Sequence, residues 1–186
     1  NGFVDGFYTE ACFNGPCSLD FDLNEDLIVA DCGNDCVRKV SMADGRVTTI
    51  AGAPSTDEDS YFDGIGIEAR FNSPNSVVVD GSNNILVADS DNHKIRKISG
   101  DGALVTTLPP LIHKTGRSFT MRSPVQLAIN DQGQLWVTTF EDWANLIVVE
   151  ASLVLPARLV PKKTEREIEM QLALDDYGKL LDDPAL

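Results

Sequence analysis

The phrase VADSDNHKIRKIS, residues 87–99, stands 58 positions after VADCGNDCVRKVS, residues 29–41. The flanks keep that offset without a gap. Residues 1–52 laid on residues 59–110 agree at 19 of 52 positions: Asp5-Gly6 meets Asp63-Gly64, Phe13-Asn14 meets Phe71-Asn72, Pro16 meets Pro74, and Arg38-Lys39 meets Arg96-Lys97. Many remaining positions exchange one aliphatic for another, as in Leu27/Ile85 and Val37/Ile95. Self-similarity at a fixed spacing marks a solenoid, a propeller or an array, and it restricts the fold before any single residue does.

Inside the second copy, residues 75–80, 85–88, 94–99 and 104–108 are short runs rich in β-branched side chains. Gly81-Ser82-Asn83-Asn84, Asp89-Ser90-Asp91-Asn92 and Gly100-Asp101-Gly102 separate them. Such runs divided by Gly, Asn and Asp read as antiparallel strands joined by hairpin turns. The first copy repeats all four. Four strands in one repeat is the unit of a β-propeller blade, whereas a solenoid coil carries one strand or a helix pair. A third copy follows 50 positions later, with Pro124 answering Pro74, VQLAIN answering NSVVVD, and QLWVT answering NILVA. It has Thr139 in place of the aspartate and an aliphatic in place of the arginine.

The polar positions of the repeat have architectural readings. Asp31 and Asp89 end a strand, where a carboxylate accepts backbone N–H groups across the turn and lies within reach of Arg38 or Arg96 on the returning strand. Asn34 and Asn92 suit the left-handed position of that turn. Asp-Gly at 5–6 and 63–64 reads as a tight turn between blades, followed by an alanine and a phenylalanine (Phe13, Phe71) wedged between sheets.

Composition narrows the function. Twenty-nine acids against fifteen bases leave a net charge of −14, with twelve acids and three bases in residues 1–62. Nucleic acid is an improbable partner for such a chain, because affinity for a polyanion rests on Lys and Arg neutralising phosphates. Lys114, Arg117 and Arg122, near the third copy, are the one candidate basic patch for such a partner. No apolar run reaches the length of a membrane helix, and NGFVDGFYTE has neither the basic start nor the apolar stretch of a signal peptide. All four cysteines (Cys12, Cys17, Cys32, Cys36) lie in the first copy, where the second has Arg70, Asn75, Ser90 and Lys94. Sulfur is therefore not part of the repeat's framework. Free thiols, a disulfide and a zinc site all remain open, with free thiols and a reducing compartment preferred.

The second copy, FDGIGIEARFNSPNSVVVDGSNNILVADSDNHKIRKISGDGALVTTL, resembles an NHL repeat, a β-propeller blade whose pattern runs near D-G-x-G-x-x-A-x-F-x-x-P and then V-A-D-x-x-N-H-x-I-R. The first copy resembles it too, with Asp35 for the usual histidine and without the second glycine of the loop. The resemblance implies an all-β fold: a partial, open propeller of about three four-stranded antiparallel blades, at residues 1–52, 53–110 and, in degenerate form, 111–160. Residues 161–186 read as a helical segment, opened by the capping box Thr164-Glu165-Arg166-Glu167. Their ending, DYGKLLDDPAL, resembles the lead-in to a BTB/POZ domain. That pairing implies an adaptor, in which the propeller recognises a protein client and a downstream BTB domain docks on a cullin for ubiquitin transfer, inside the cell, in the cytoplasm or nucleus.

No catalytic, cofactor or metal residues are assigned. His93 and His113 are the only histidines, too few for the central metal of an NHL-type lyase unless its ligands lie in further blades; that metal-dependent lyase or hydrolase is the alternative reading. The aspartate-rich turns lack the alternating ligands of a calcium loop. The residues expected to matter are those of the repeat itself: Asp31, Asn34, Arg38, Asp89, Asn92, Arg96, Phe13, Phe71, Pro16 and Pro74. One sequence does not identify client contacts, although residues 53–62 and 111–122 differ most between copies. Because closed propellers have four to eight blades, three alone expose sheet edges and are expected to self-associate.

Overall fold

Each copy of the repeat folds into one antiparallel sheet. The computed structural model describes residues 2–54, 61–102, 104–110 and 122–140, and the backbone of 146–154. The first sheet contains β1 (Gly6–Phe7), β2 (Pro16–Phe21), β3 (Leu27–Asp31), β4 (Cys36–Val40) and β5 (Arg46–Gly52), in the order β1-β5-β4-β3-β2. The second contains β6 (Gly64–Ile65), β7 (Pro74–Val79), β8 (Ile85–Asp89), β9 (Lys94–Ile98) and β10 (Leu104–Thr107), in the order β6-β10-β9-β8-β7. The third is described as β11 (Pro124–Ile129), β12 (Gln134–Phe140) and β13 (Leu146–Val154). The rest of the third copy, to residue 160, and the helical segment 161–186 lie outside the described residues.

Register repeats as closely as sequence does. Pro16 pairs with Asp31, Pro74 with Asp89 and Pro124 with Thr139, and in each sheet a bulge follows the proline at once. A proline has no N–H for a ladder, so it stands at the first residue of an edge strand. A bulge there re-aims the residues that follow.

Two local readings need correction. Asp-Gly is not a turn between blades: Gly6 pairs with Val47 and Gly64 with Val105, so each begins a two-residue strand added outside the outer strand of its own sheet. The left-handed residue of the turn is not Asn34 or Asn92 but its successor, Asp35 at φ 52° and His93 at φ 57°. The turn closes through Asp35 N–H to the Cys32 carbonyl (3.3 Å) and His93 N–H to the Ser90 carbonyl (3.0 Å). That closure moves the strained position one residue on and leaves the asparagine side chain facing the carboxylate.

The sheets stack face to face with inner strands β2, β7 and β11 side by side. One core joins Ile28, Ala30, Val37 and Ala51 of the first sheet to Phe71, Val77, Val79, Val87 and Ile98 of the second. A second joins Leu86, Ala88 and Ile95 to Leu127, Leu135 and Val137 of the third. Alternation along β8 thus sends Ile85 and Val87 one way and Leu86 and Ala88 the other, and all five of its residues are buried. A continuous apolar run rather than an alternating one follows from burial on both faces.

The first sheet has its outer face uncovered. Leu19 and Phe21 are 62% and 44% exposed, while Val77 and Val79, their counterparts 58 positions on, are 1% and 3% exposed beneath the first sheet. The chain is an all-β, unclosed run of propeller blades. Among the described residues no helix is long and apolar enough to cross a membrane.

Candidate functional site

The recurring polar residues converge on one buried hub per blade. In the first, Asp31 accepts Asn14 N–H at 2.8 Å, the Asn34 side-chain amide at 2.8 Å and Arg38 Nη1 at 3.0 Å. In the second, Asp89 accepts Asn72 N–H at 2.7 Å, the Asn92 amide at 3.0 Å and Arg96 Nη1 at 2.9 Å. The arginines complete the hub through Nη2, which donates to Asp5 (2.7 Å) and Asp63 (2.9 Å) and to the carbonyls of Val4 and Phe62. Their guanidinium carbons lie 4.8 Å from the Phe13 ring centre and 5.1 Å from that of Phe71, a separation at which cation and ring attract. Pro16 and Pro74 stand beside the aspartates in register. Of the residues singled out in the sequence, all ten fall in or against these hubs. In the third sheet the hydroxyl of Thr139 donates to the Arg122 carbonyl instead, a neutral bond in the place of the aspartate.

Electrostatics follow the geometry. Burial pushes the Asp89 carboxyl above its ordinary range, opposed by the donors from Asn72, Asn92 and Arg96. For the half-exposed Asp63, burial is outweighed by the Thr107 hydrogen bonds and by Arg96, so its carboxyl sits below the ordinary range. Asp22 follows the same pattern: burial opposes, but Lys39 at 2.7 Å and the N–H groups of Asp26 and Asn24 hold it down. The Cys36 thiol is pushed up to about 12 by burial and by the nearby Asp31 charge.

Links between blades come from residues with no evident chemical signature. Asp35 accepts Ser73 N–H at 2.9 Å, and His93, its counterpart, accepts Ser123 N–H at Nδ1 at 3.0 Å. Nearer the axis, Ser18 accepts Val77 N–H, Asp20 accepts Val79 N–H and Ser76 accepts Leu127 N–H, at 3.2, 2.8 and 3.1 Å. These N–H groups belong to inner strands at a sheet edge, and buried backbone donors need partners. Sequence reasoning did not single out Ser18, Ser76, Asp35 or His93 for this role. Ser18/Ser76 was nevertheless among the identities at the 58-residue offset.

A groove of about 390 Å3 runs along the inner strands, lined by Ser18, Asp20, Val77, Gln126, Leu127 and Asn130 among others. A second hollow, of about 450 Å3, lies against Phe13, Pro16, Cys17 and Leu19 of the first sheet. Residues 55–60 and 111–121, most of the variable loops noted above, lie outside the described residues. Among the described residues no three His, Cys, Asp or Glu side chains are grouped to hold a metal ion.

Comparison with known proteins agrees with this architecture. The NHL repeat family matches residues 71–98. NHL repeat-containing protein 2 of Bos taurus is 37% identical over 120 residues, covering 59% of this chain and 16% of that protein; its Homo sapiens counterpart is 35% identical over the same span. A crystal structure of a Bacteroides thetaiotaomicron protein of unknown function superposes with a TM-score of 0.57 at 25% identity, over 72% of this chain and 34% of its own. The chain therefore spans about a sixth of the curated relatives it matches. It carries an NHL repeat and is homologous, over the matched residues, to part of NHL repeat-containing protein 2.

Proposed function

We propose that this run of blades is a protein-recognition scaffold without catalytic activity of its own, reading a client protein with the loops at one end. The observation that carries the reading is the fate of the recurring polar groups. Arg38, Arg96, Asp31 and Asp89 are fully buried, and their hydrogen bonds serve the blade. Blade faces bury one another and the inner N–H groups are met by the preceding blade. Loops on a rigid frame are where recognition then resides.

The setting we favour is a ubiquitin-ligation adaptor, cytoplasmic or nuclear, in which a BTB domain joins the scaffold to a cullin. Its support is the resemblance of residues 176–186 to the segment that leads into such domains. The full-length protein tests both parts. Exchange of residues 111–122 for a Gly-Ser segment of equal length should abolish retention of the cross-linked client while leaving thermal unfolding unchanged; an unaltered client set would sink the recognition reading. Cullin recovered in the same purification supports the adaptor, and its absence after cross-linking removes that setting alone.

A further inference from the structure

We propose that Cys17 and Cys32 are a dithiol pair that closes reversibly to a disulfide within the first blade. Cys17 occupies the bulge after Pro16, and Cys32 opens the turn after Asp31, the residue in register with Pro16. The second blade shows what side chains do at these two positions: Asn75, the counterpart of Cys17, donates through Nδ2 to the hydroxyl of Ser90, the counterpart of Cys32, at 2.9 Å. The repeat therefore brings these side-chain tips together whatever they are, and in the first blade both tips are thiols.

The thiols stay near each other, because both sulfurs rest on the same residue, Asn75, across the seam. Cys17 Sγ lies 3.4 Å from the Asn75 carbonyl oxygen and Cys32 Sγ lies 3.5 Å from its Oδ1. The nearness of Cys32 draws the Cys17 thiol below its ordinary value, and the same nearness, with burial, drives the Cys32 thiol up. Cys17 is also exposed. An accessible sulfur beside a second, less exposed thiol divides the pair into attacker and resolver. The other two cysteines are placed elsewhere: Cys36 is buried against the Asp31 carboxylate, and Cys12 donates to the Glu10 carbonyl.

The chemistry is thiol–disulfide exchange with a small-molecule disulfide. The Cys17 thiolate attacks one sulfur of the reagent, whose S–S bond breaks and releases one thiolate. Cys32 then attacks the Cys17 sulfur of the mixed disulfide, forming the Cys17–Cys32 bond and expelling the second thiolate. The protein loses two electrons and two protons, which leave with the reagent as two thiols. Closure removes the thiol proton that Cys32 directs at Asn75, so the first seam feels the redox state.

The test treats the full chain with glutathione disulfide under native conditions, alkylates the remaining thiols and cleaves before aspartates, which separates Cys32 from Cys36. Two of four thiols should be lost, with the Cys17 peptide linked to the Cys32 peptide and freed by dithiothreitol. Cys12→Ser should retain the link, and Cys32→Ser should hold Cys17 as the mixed disulfide with glutathione. A link through Cys12, or a wild-type chain in which Cys17 stays glutathionylated while Cys32 remains alkylatable, would overturn the proposal.

Discussion

Arg96 Nη1 lies 2.9 Å from the Asp89 carboxylate, and neither side chain has any exposure to solvent. Arg38 and Asp31 repeat the arrangement at 3.0 Å, again at zero exposure. Two charges withdrawn from water are held in a fold when each has the other; both arginines donate through Nη1 and Nη2, while their Nε atoms are buried without a partner.

Removing one partner should therefore cost far more than removing both. Arg96→Met leaves Asp89 buried and uncompensated, a loss of about 3–5 kcal/mol. Asp89→Leu combined with Arg96→Met should recover part of that. Urea denaturation of the single and double variants measures the difference, and a single variant within about 1 kcal/mol of the parent would contradict the buried-charge account.

Asp35 serves the first seam twice, by adopting the left-handed turn and by accepting Ser73 N–H. Asp35→Ala should cost about 1.5–3 kcal/mol, since an N–H loses its bond to a charged acceptor and alanine adopts positive φ poorly. Asp35→Asn keeps both functions and should lie much closer to the parent. His93→Ala should loosen the second seam in the same way, read as faster amide exchange at Ser123.

The uncovered face of the first sheet should drive self-association of the isolated chain. Leu19 and Phe21 stand where Val77 and Val79 are covered, and covering such side chains stabilises by about 1.5–3 kcal/mol each. Sedimentation should show mass rising with concentration, and Leu19→Asp with Phe21→Lys should suppress it. A monomer across a wide concentration range would refute the expectation.

Acid should destabilise through Asp22 and Asp63. Both carboxyls sit below their ordinary value in the folded chain. The stability they contribute is complete above the ordinary value of 3.8 and is lost as pH falls through the depressed one, because the unfolded state then binds the more protons. Asp22→Asn should flatten part of that acid limb and leave the slope near neutral pH unchanged. An unaltered acid limb would assign the effect elsewhere.

Much of the architecture was legible because an identical residue was needed at the same place twice. Asp31/Asp89, Arg38/Arg96 and Pro16/Pro74 recur because a charge hub and a ladder start tolerate few substitutes. Asp35 and His93 were opaque for the opposite reason: a carboxylate and an imidazole both accept one N–H and both tolerate positive φ, so the role persists while the letter changes. The two-residue strand at Gly6 is too short to carry any periodicity. Repetition also says which side chains face a neighbour, as Leu19 and Val77 both do, but not whether that neighbour is there.

Every residue of β8 is buried, so the middle of the second blade has no side on which a substitution goes unnoticed. A side chain there meets a neighbour on either side, whereas a loop at the rim can lengthen without disturbing a seam. Lineages descended from such a blade would come to differ in what they hold long before they differ in how they are built.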